Sequence, residues 1–365
     1  MTIKTRMTEI FGCKYPIMLA GMGPFSTYKT AVKVANAGGI GLTSHWGILS
    51  PVDPETHLIS DAPNARVISS VEKMKFDLKY IEENAEDGAV FGCNIRVARI
   101  QVDWPGVIRT VIKMREKSPK LKECLKLIVT SAGNPEPPNK LIKKKAPDLL
   151  HLHVSPSLNL VKHTFKSGCD GVVAVGYEGG GHQSYEQVVT SILVPEVREE
   201  FPDKLVIAGG GMVNGRSLVA ALALGADGIQ MGSRFIATSD GDFHGNYKNR
   251  ILSMTDEDTM MCDGAFGPIR LYKNKYALKH PLRMSKEERM EYEKKMGGSI
   301  SGGTQEFIED MRAYDLVYKG DVENGAVLVG QTVALIKDLP TVKEVIERIM
   351  KEAEQVKKEL DSKFV

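Results

Sequence analysis

The stretch LVIAGGGMVNGRSLVAALALGADGIQMGS, residues 205–233, decides the fold. It contains two short apolar runs, at 205–208 and 228–231, and glycine follows each run at once. The residues between the two runs can form one helix. An apolar run, a helix and a second apolar run of this length are typical of parallel strands whose two faces are buried by the connecting helices.

The same unit recurs along most of the chain. Apolar runs bounded by glycine, asparagine or serine alternate with longer segments of helical periodicity. The predicted strands lie at residues 16–20, 40–44, 90–95, 127–130, 149–154, 171–175, 205–208 and 228–231. Eight parallel strands at this spacing predict an α/β protein with a closed TIM (β/α)8 barrel. A doubly wound open sheet is the alternative.

The regular alternation ends after the eighth predicted strand. We expect a barrel at residues 1–237, an inserted substrate or lid region at 238–325, and barrel-closing C-terminal helices at 326–365. The insertion should pack near the barrel mouth, and its glycine-rich loop at 297–303 is a candidate lid. After residue 341, apolar residues recur at helical spacing among Lys and Glu, which predicts an amphipathic closing helix.

Composition excludes several classes of protein. The 365 residues contain 48 Lys and Arg against 46 Asp and Glu, so no nucleic-acid partner is expected, because nucleic-acid binding requires a basic excess. We find no signal-peptide pattern and no apolar run of about 18 residues, so we expect a cytoplasmic protein without a membrane partner. The five cysteines form no CxxC pair, which argues against a disulfide framework and a metal site.

Two glycine-rich turns follow the last two predicted strands. Gly210 and Gly211 follow the seventh strand, and Gly232 and Ser233 follow the eighth. In TIM barrels the functional site lies at the C-terminal ends of the strands, and the turns after strands seven and eight often bind phosphate. Bare backbone N–H groups can approach an anion closely there. The pattern predicts a phosphate site, and glycines that only permit tight turns are the alternative.

Histidines are the candidates for proton transfer. His182 ends the stretch GYEGGGH after the sixth strand, where glycines let the backbone lie against a flat ligand and project the imidazole into the mouth. The alternative is a structural histidine. His45 and His153 are tentative substrate contacts at the same mouth. His151 and His153 share a strand face as a metal pair would, but no third ligand accompanies them.

Longer stretches of characteristic sequence span nearly the whole chain. They are TRMTEIF at 5–11, YPIMLAGM at 15–22, ANAGGIG at 35–41, FGCN at 91–94, TSAGN at 130–134, GYEGGGH at 176–182, VIAGGGMVNGR at 206–216, ALALGADGIQMGSRF at 221–235, GDVENG at 320–325 and GQ at 330–331. Together they resemble the nitronate monooxygenase (2-nitropropane dioxygenase) superfamily of FMN-dependent TIM barrels. This superfamily includes flavin-dependent enoyl-acyl-carrier-protein reductases and NADH:quinone reductases.

The resemblance implies that FMN binds in the barrel mouth and that His182 is the active-site histidine. The implied phosphate contacts are Gly210, Gly211, Gly232 and Ser233, and the implied ring contacts are Ala20, Gly21, Met22, Asn94, Glu178, Gly180 and Gly181. Four positions depart from the family pattern. Leu19-Ala20 replaces the usual Gln-Gly, Gly179 replaces Ala or Cys, and Ser233 replaces Thr but keeps a hydroxyl donor.

The resemblance leaves the reaction open, because a flavin can pass electrons to oxygen, to a quinone or to a polarised double bond. Residues 232–238, 244–248 and the C-terminal block resemble the reductase branches more than the nitronate branch. We therefore expect an NADH- or NADPH-dependent reductase of an enoyl thioester or quinone, with a homodimer as one possible assembly. The alternatives are a nitronate monooxygenase that oxidises alkyl nitronates with O2, and a flavin-binding protein without turnover.

Overall fold

Eight parallel strands form a closed barrel in the computed structural model, which describes residues 3–98, 101–264, 267–296 and 305–364. In order around the barrel they are β1 Ile17–Leu19, β2 Ile40–Ser44, β3 Val90–Arg96, β4 Leu125–Ser131, β5 Leu150–Ser155, β6 Gly171–Val175, β8 Leu205–Gly209 and β9 Gly228–Met231. Strand β7, Gly181–His182, belongs to a second sheet. The barrel prediction is confirmed, and the open sheet is wrong.

Fifteen α-helices occur among the described residues, and most of them connect successive barrel strands. Their bounds are α1 Arg6–Phe11, α2 Tyr28–Asn36, α3 Ser70–Asn84, α4 Trp104–Lys117, α5 Pro119–Cys124, α6 Glu136–Lys145, α7 Leu158–Lys166, α8 Thr190–Glu200, α9 Gly215–Ala223, α10 Ser233–Ile236, α11 Gly245–Leu252, α12 Lys275–Lys279, α13 Lys286–Met296, α14 Gln305–Tyr318 and α15 Val342–Asp361. Short 3₁₀ turns lie at Asp256–Asp258 and Gln331–Leu335.

The strands are buried on both faces, as the continuous apolar runs predicted. All residues of β2, β3, β8 and β9 are buried. Helix α2 lies so close to β2 that a Cβ added to Gly41 would be 2.1 Å from the carbonyl oxygen of Ala31. A side chain at this position would separate the helix from the barrel, so the glycine fixes their close packing.

A small second sheet lies beside the barrel. Strands β10 (Thr259–Gly264) and β11 (Gly267–Tyr272) form an antiparallel hairpin, and β11 also pairs with β7, the two-residue strand Gly181–His182. Ile269 is the pairing partner of His182. The region inserted after the barrel therefore fixes the backbone of the candidate active-site histidine.

The C-terminal helix α15 packs against the barrel helix α9. A Cβ on Gly215 would be 2.4 Å from the backbone nitrogen of Ala353, and the Gly215 N–H donates to Glu352 at 2.8 Å. Val342, Ile346 and Ile349 are buried, so the predicted amphipathic closing helix is confirmed. The predicted lid loop at 297–303 lies outside the described residues. Within the described ranges, no helix is both long and apolar enough to cross a bilayer.

Candidate active site

A cavity of about 560 Å³ opens at the C-terminal ends of the barrel strands. It is of the size that small-molecule and cofactor sites commonly have. All but one of the predicted site residues line it. They are Ala20, Gly21, Met22, Asn94, His153, Glu178, Gly180, Gly181, His182, Gly210, Gly211, Gly232 and Ser233. The barrel thus brings together residues that lie more than 200 positions apart in the chain.

The ends of β1 and β3 form one wall of the cavity. A Cβ on Gly21 would be 2.1 Å from Cγ of Asn94, so only glycine lets these two segments approach. The Asn94 side-chain amide donates to the carbonyl oxygen of Val129 at 3.2 Å, and the Met22 N–H donates to the hydroxyl of Ser44 at 2.9 Å. No described residue donates to the Asn94 amide oxygen, so this oxygen can accept a hydrogen bond from a ligand.

The turns after β8 and β9 supply backbone donors. Gly210 and Gly211 have φ angles of 77° and 71°, a left-handed conformation that glycine adopts without strain. The N–H groups of these two glycines, of Gly232 and of Ser233 donate no hydrogen bond to another described residue. The Ser233 hydroxyl oxygen accepts from the Gly330 N–H at 3.0 Å, so its own proton can be donated to a ligand. This donor set suits a phosphate group.

The turn after β6 is held by the C-terminal segment. The Gln331 N–H donates to the carbonyl oxygen of Glu178 at 2.9 Å. A Cβ on Gly180 would be 2.4 Å from the carbonyl carbon of Val329. The Glu178 carboxylate accepts from the Thr190 N–H at 3.0 Å and from its hydroxyl at 3.1 Å. This carboxylate therefore anchors the turn, while the glycine backbone faces the cavity.

His182 lines the cavity, and its ring nitrogen Nε2 is buried although the residue as a whole is partly exposed. Burial lowers the pKa of its imidazole to about 3, and the positive charges of Arg96 and Arg289 lower it further. The ring is therefore neutral at physiological pH. A neutral imidazole has one donor and one acceptor nitrogen, so this histidine can orient a polar ligand but does not store a proton as imidazolium.

His153 belongs to a buried hydrogen-bonded pair with His151. The Thr130 hydroxyl lies 2.7 Å from Nδ1 of His153 and 2.7 Å from Nε2 of His151, while Nδ1 of His151 lies 2.9 Å from the amide oxygen of Asn139. Burial lowers the pKa of both rings to about 3. Only His153 reaches the cavity, and the described residues contain no metal-binding cluster.

His45 does not line the cavity, so its predicted contact with substrate at the mouth is corrected. Its side chain is fully buried, and Nε2 lies 3.1 Å from the carboxylate of Asp103, the residue before α4. Burial lowers the pKa of this histidine, although the bond to Asp103 opposes the shift. The ring is directed toward α4, where it connects the end of β2 to that helix.

Several residues of the cavity wall were not predicted. They are Arg96, Ser131, Ala132, Gly133, Ser157, Arg289, Leu328, Gly330 and Thr332. Arg96 ends a barrel strand and lies two residues after Asn94, so its position at a strand end was a usable signal. The hydroxyl of Ser157 is buried and has no hydrogen-bond partner among the described residues, which leaves a polar group for a ligand.

Comparison with known proteins identifies relatives along the whole chain. The family model described as nitronate monooxygenase matches residues 4–352. A (3aS,4S,5R,7aS)-5-hydroxy-7a-methyl-1-oxo-octahydro-1H-indene-4-carboxyl-CoA dehydrogenase from Rhodococcus jostii is 29% identical, with 96% of each chain covered. A probable nitronate monooxygenase from Staphylococcus saprophyticus is 28% identical over 76% of this chain and 80% of its own.

Among solved structures, FabK from Thermotoga maritima superposes with a TM-score of 0.77 and 27% identity, and the match covers 100% of both chains. The nitroalkane oxidase from Streptomyces ansochromogenes superposes with a TM-score of 0.72. Its sequence identity is 20%, so it supports the fold alone.

Proposed function

This chain belongs to the nitronate monooxygenase family, and on that premise we propose that it is an FMN-dependent reductase that takes electrons from NADH or NADPH and passes them to an enoyl thioester or a quinone. The family is one of oxidoreductases that use a flavin, so the chain is a flavin-dependent oxidoreductase. That the flavin is FMN, that a nicotinamide is the electron donor and that an enoyl thioester or quinone is the acceptor are parts of the proposal. The cytoplasmic location and the homodimer stay predictions from the sequence.

The observation that carries the proposal is the full-length similarity to FabK and to the CoA-thioester dehydrogenase. These matches cover 100% and 96% of this chain, whereas the match to the probable nitronate monooxygenase covers 76%. The full-length matches take in the inserted and C-terminal regions, which contribute Arg289, Leu328 and Gly330 to the cavity wall. The nitroalkane oxidase also covers 97% of this chain, but at 20% identity, so the proposal rests on the two more similar full-length relatives, FabK and the CoA-thioester dehydrogenase.

The cavity fits FMN in its shape and in its donors. The N–H groups of Gly210, Gly211 and Ser233, which donate to no other described residue, suit the phosphate, and the backbone at Ala20-Gly21 and at the glycines 179–181 leaves room for a flat ring. The close contacts that a Cβ would make at Gly21 and Gly180 argue that these segments are built for close backbone approach. When bound, FMN would accept a hydride from a nicotinamide and return the electrons to an acceptor.

The described residues define what this chain contributes to the reaction. The neutral His182 donates or accepts one hydrogen bond at the cavity and so orients the acceptor's oxygen. The turn at residues 178–181, fixed by β11 and by Gln331, holds the imidazole in place. Because its pKa is about 3, the imidazole does not act as a proton reservoir at neutral pH.

A nitronate monooxygenase is the second candidate function. The positive charges of Arg96 and Arg289 near His182 would favour an anionic nitronate, and the relative from S. saprophyticus carries that name. In this case His182 would bind the nitronate, and oxygen would accept the electrons.

An anaerobic titration of the purified holoenzyme separates the two functions. Under the reductase proposal, NADH or NADPH bleaches the visible flavin band rapidly and in a 1:1 ratio, and an alkyl nitronate bleaches it slowly or not at all. Reduction by the nitronate with no response to either nucleotide would leave the monooxygenase as the function.

A further inference from the structure

Arg270 of strand β11 is buried, and its guanidinium is bound to one carbonyl group. The residue is 4% exposed. Its Nε and Nη2 both donate to the carbonyl oxygen of Tyr177, at 3.1 Å and 3.0 Å, and its Cζ lies 4.6 Å from the centre of the Tyr177 ring. Nη1 donates to the hydroxyl of Thr259 at 3.1 Å. Burying a guanidinium costs free energy, so the orientation of this carbonyl is held by a strong and specific contact.

Tyr177 and Glu178 are the two central residues of the β-turn that follows β6. The Gly179 N–H closes this turn by donating to the carbonyl oxygen of Gly176 at 3.0 Å. The peptide group between the two central residues takes no part in the closing bond of a β-turn. Its orientation therefore depends on partners outside the turn, and Arg270 is the partner of its carbonyl.

The N–H of the same peptide group belongs to Glu178. The C=O and N–H of a planar trans peptide point in opposite directions, so a carbonyl held toward β11 directs the Glu178 N–H away from that strand. Glu178 lines the cavity, whereas Tyr177 is not among the residues of its wall. The orientation that Arg270 imposes thus places the carbonyl outside the cavity and the N–H on the cavity side.

The other polar groups of Glu178 are all bound within the protein. Its carbonyl oxygen accepts from the Gln331 N–H at 2.9 Å, and its carboxylate accepts from the Thr190 N–H at 3.0 Å. The Glu178 N–H, in contrast, donates to no other described residue. A backbone donor that the protein leaves unused at a cavity wall is available to a ligand.

We propose that Arg270 is a positioning residue that directs the Glu178 N–H at the ring of the bound flavin. The cation at the carbonyl also polarises this peptide and so strengthens its N–H as a donor. Reduction adds electron density to the nitrogen and oxygen atoms of a flavin ring, and a fixed donor stabilises the electron-rich form more than the oxidised form. Arg270 therefore favours the reduced flavin without touching it.

The reduction potential of the bound flavin tests this inference, because it compares the affinity of one protein for two forms of the cofactor. Arg270→Met removes the donors and the charge. We expect the preference for reduced over oxidised flavin to fall by about 10-fold, the value of one good hydrogen bond, which equals a potential lower by about 30 mV for a two-electron couple. A purely structural role would weaken the binding of both forms alike, so an unchanged potential would overturn the proposal.

Arg250→Met is the matched control. The guanidinium of Arg250 also contacts a tyrosine of β11, with its Cζ 5.4 Å from the ring centre of Tyr272 and its Nη1 3.1 Å from that hydroxyl. Neither residue lines the cavity. This substitution should lower the free energy of unfolding, measured by urea denaturation, and leave the flavin potential unchanged. Equal shifts of the potential in Arg250→Met and Arg270→Met would contradict the assignment to the 177–178 peptide.

Arg270→Lys separates the charge from the geometry. Lysine keeps the positive charge but lacks the planar fork that places two donors on the Tyr177 carbonyl. We expect its flavin potential to lie between those of the wild-type protein and Arg270→Met. If Arg270→Met fails to fold, Arg270→Lys carries the test. A wild-type potential in Arg270→Lys would contradict the proposal, because the charge alone would then be sufficient.

The inference rests on the proposed function only in placing the flavin ring beside residues 178–181. The potential is measured with dithionite and reference dyes, so it depends on neither the nicotinamide nor the acceptor. If neither NADH nor NADPH bleaches the wild-type protein but the potential falls in Arg270→Met, the reductase proposal fails and this inference stands. Bleaching by a nucleotide together with an unchanged potential would overturn this inference alone.

Discussion

The barrel rim and the cap line the same cavity but present different chemistry to it. The rim comprises the C-terminal ends of β1, β3, β6, β8 and β9, and the cap comprises the β10–β11 hairpin, α13 and residues 328–332. The rim offers backbone groups at several glycines together with the side chains of Asn94, Arg96 and Ser233, whereas the cap brings side chains such as Arg289. Backbone groups suit a cofactor shared across a family, and side chains suit the choice of acceptor.

The largest effect is expected at the rim, from Gly210→Val. The φ angle of 77° is strained for valine, and a Cβ there would be 2.6 Å from the carbonyl oxygen of Gly176. Strain of about 1–3 kcal/mol together with this clash should weaken FMN binding by about 100-fold, which fluorescence titration of the apoprotein with FMN measures.

Gly245→Ala is the control for this substitution, because a Cβ at Gly245 meets no heavy atom within 4 Å. It should bind FMN as the wild-type protein does. If Gly210→Val also retained full FMN affinity, the rim would not be the phosphate site.

The next effect is expected where the rim meets the cap, from His182→Ala. Loss of one hydrogen bond to the reacting oxygen should lower turnover with the acceptor by about 10- to 100-fold. Reduction of the flavin by NADH or NADPH should change by less than about 2-fold, as stopped-flow spectroscopy can measure.

His182→Gln, which keeps a donor and an acceptor, should recover part of the lost turnover. An equal loss in both half-reactions would mean that His182 supports the fold or the cofactor and does not orient the acceptor.

The rim was largely predictable from the sequence because its strands and turns depend on residues that are close together in the chain. The strands at 40–44, 171–175 and 228–231 agree with the structure residue for residue. Glycine after an apolar run also identified the turns at Gly210 and Gly232. Strand periodicity and turn chemistry are properties of neighbouring residues, so they can be read without the rest of the fold.

The cap could not be predicted because its contacts join distant segments. Pairing of His182 with Ile269 spans 87 positions, and Glu178 is bound by Gln331 from near the other end of the chain. Arg289 lies in a charged run that looks like a solvated helix face. For His45 the sequence was misleading. Its position after β2 suggested a side chain at the cavity, whereas its ring binds Asp103.

Acid should destabilise the fold through three histidines that lie between these two regions, His151 and His153 on β5 and His182 on β7. The pKa values of His151, His153 and His182 are about 3, below the 6.5 of an unfolded histidine. The unfolded chain therefore binds protons that the folded chain does not, and stability falls as pH decreases from about 6.5 toward 3.

Each histidine contributes a slope of up to about 1.4 kcal/mol per pH unit within that window. Urea unfolding at several pH values measures the total slope. His153→Asn and His182→Gln should each reduce the slope of the free energy of unfolding against pH by the contribution of one histidine. A slope that neither substitution changes would mean that these rings are protonated in the folded protein.

The smallest effect is expected far from both regions, at the N-terminus of α15. Thr341 and Glu344 form a capping box there. Thr341→Ala should lower the free energy of unfolding by about 1 kcal/mol, measured by urea denaturation, and leave FMN affinity and turnover unchanged. A change in FMN affinity would show that the closing helix is coupled to the rim.

We propose that the rim holds a flavin that a nicotinamide reduces and that the cap presents an acyl-thioester or quinone acceptor to it. Anaerobic double mixing tests both steps in one experiment: NADH or NADPH first reduces the holoenzyme, and then crotonyl-CoA or a quinone is added. We expect rapid bleaching and then rapid return of the flavin colour with one of the two acceptors. A flavin that neither nucleotide bleaches, or that only oxygen reoxidises, would contradict it.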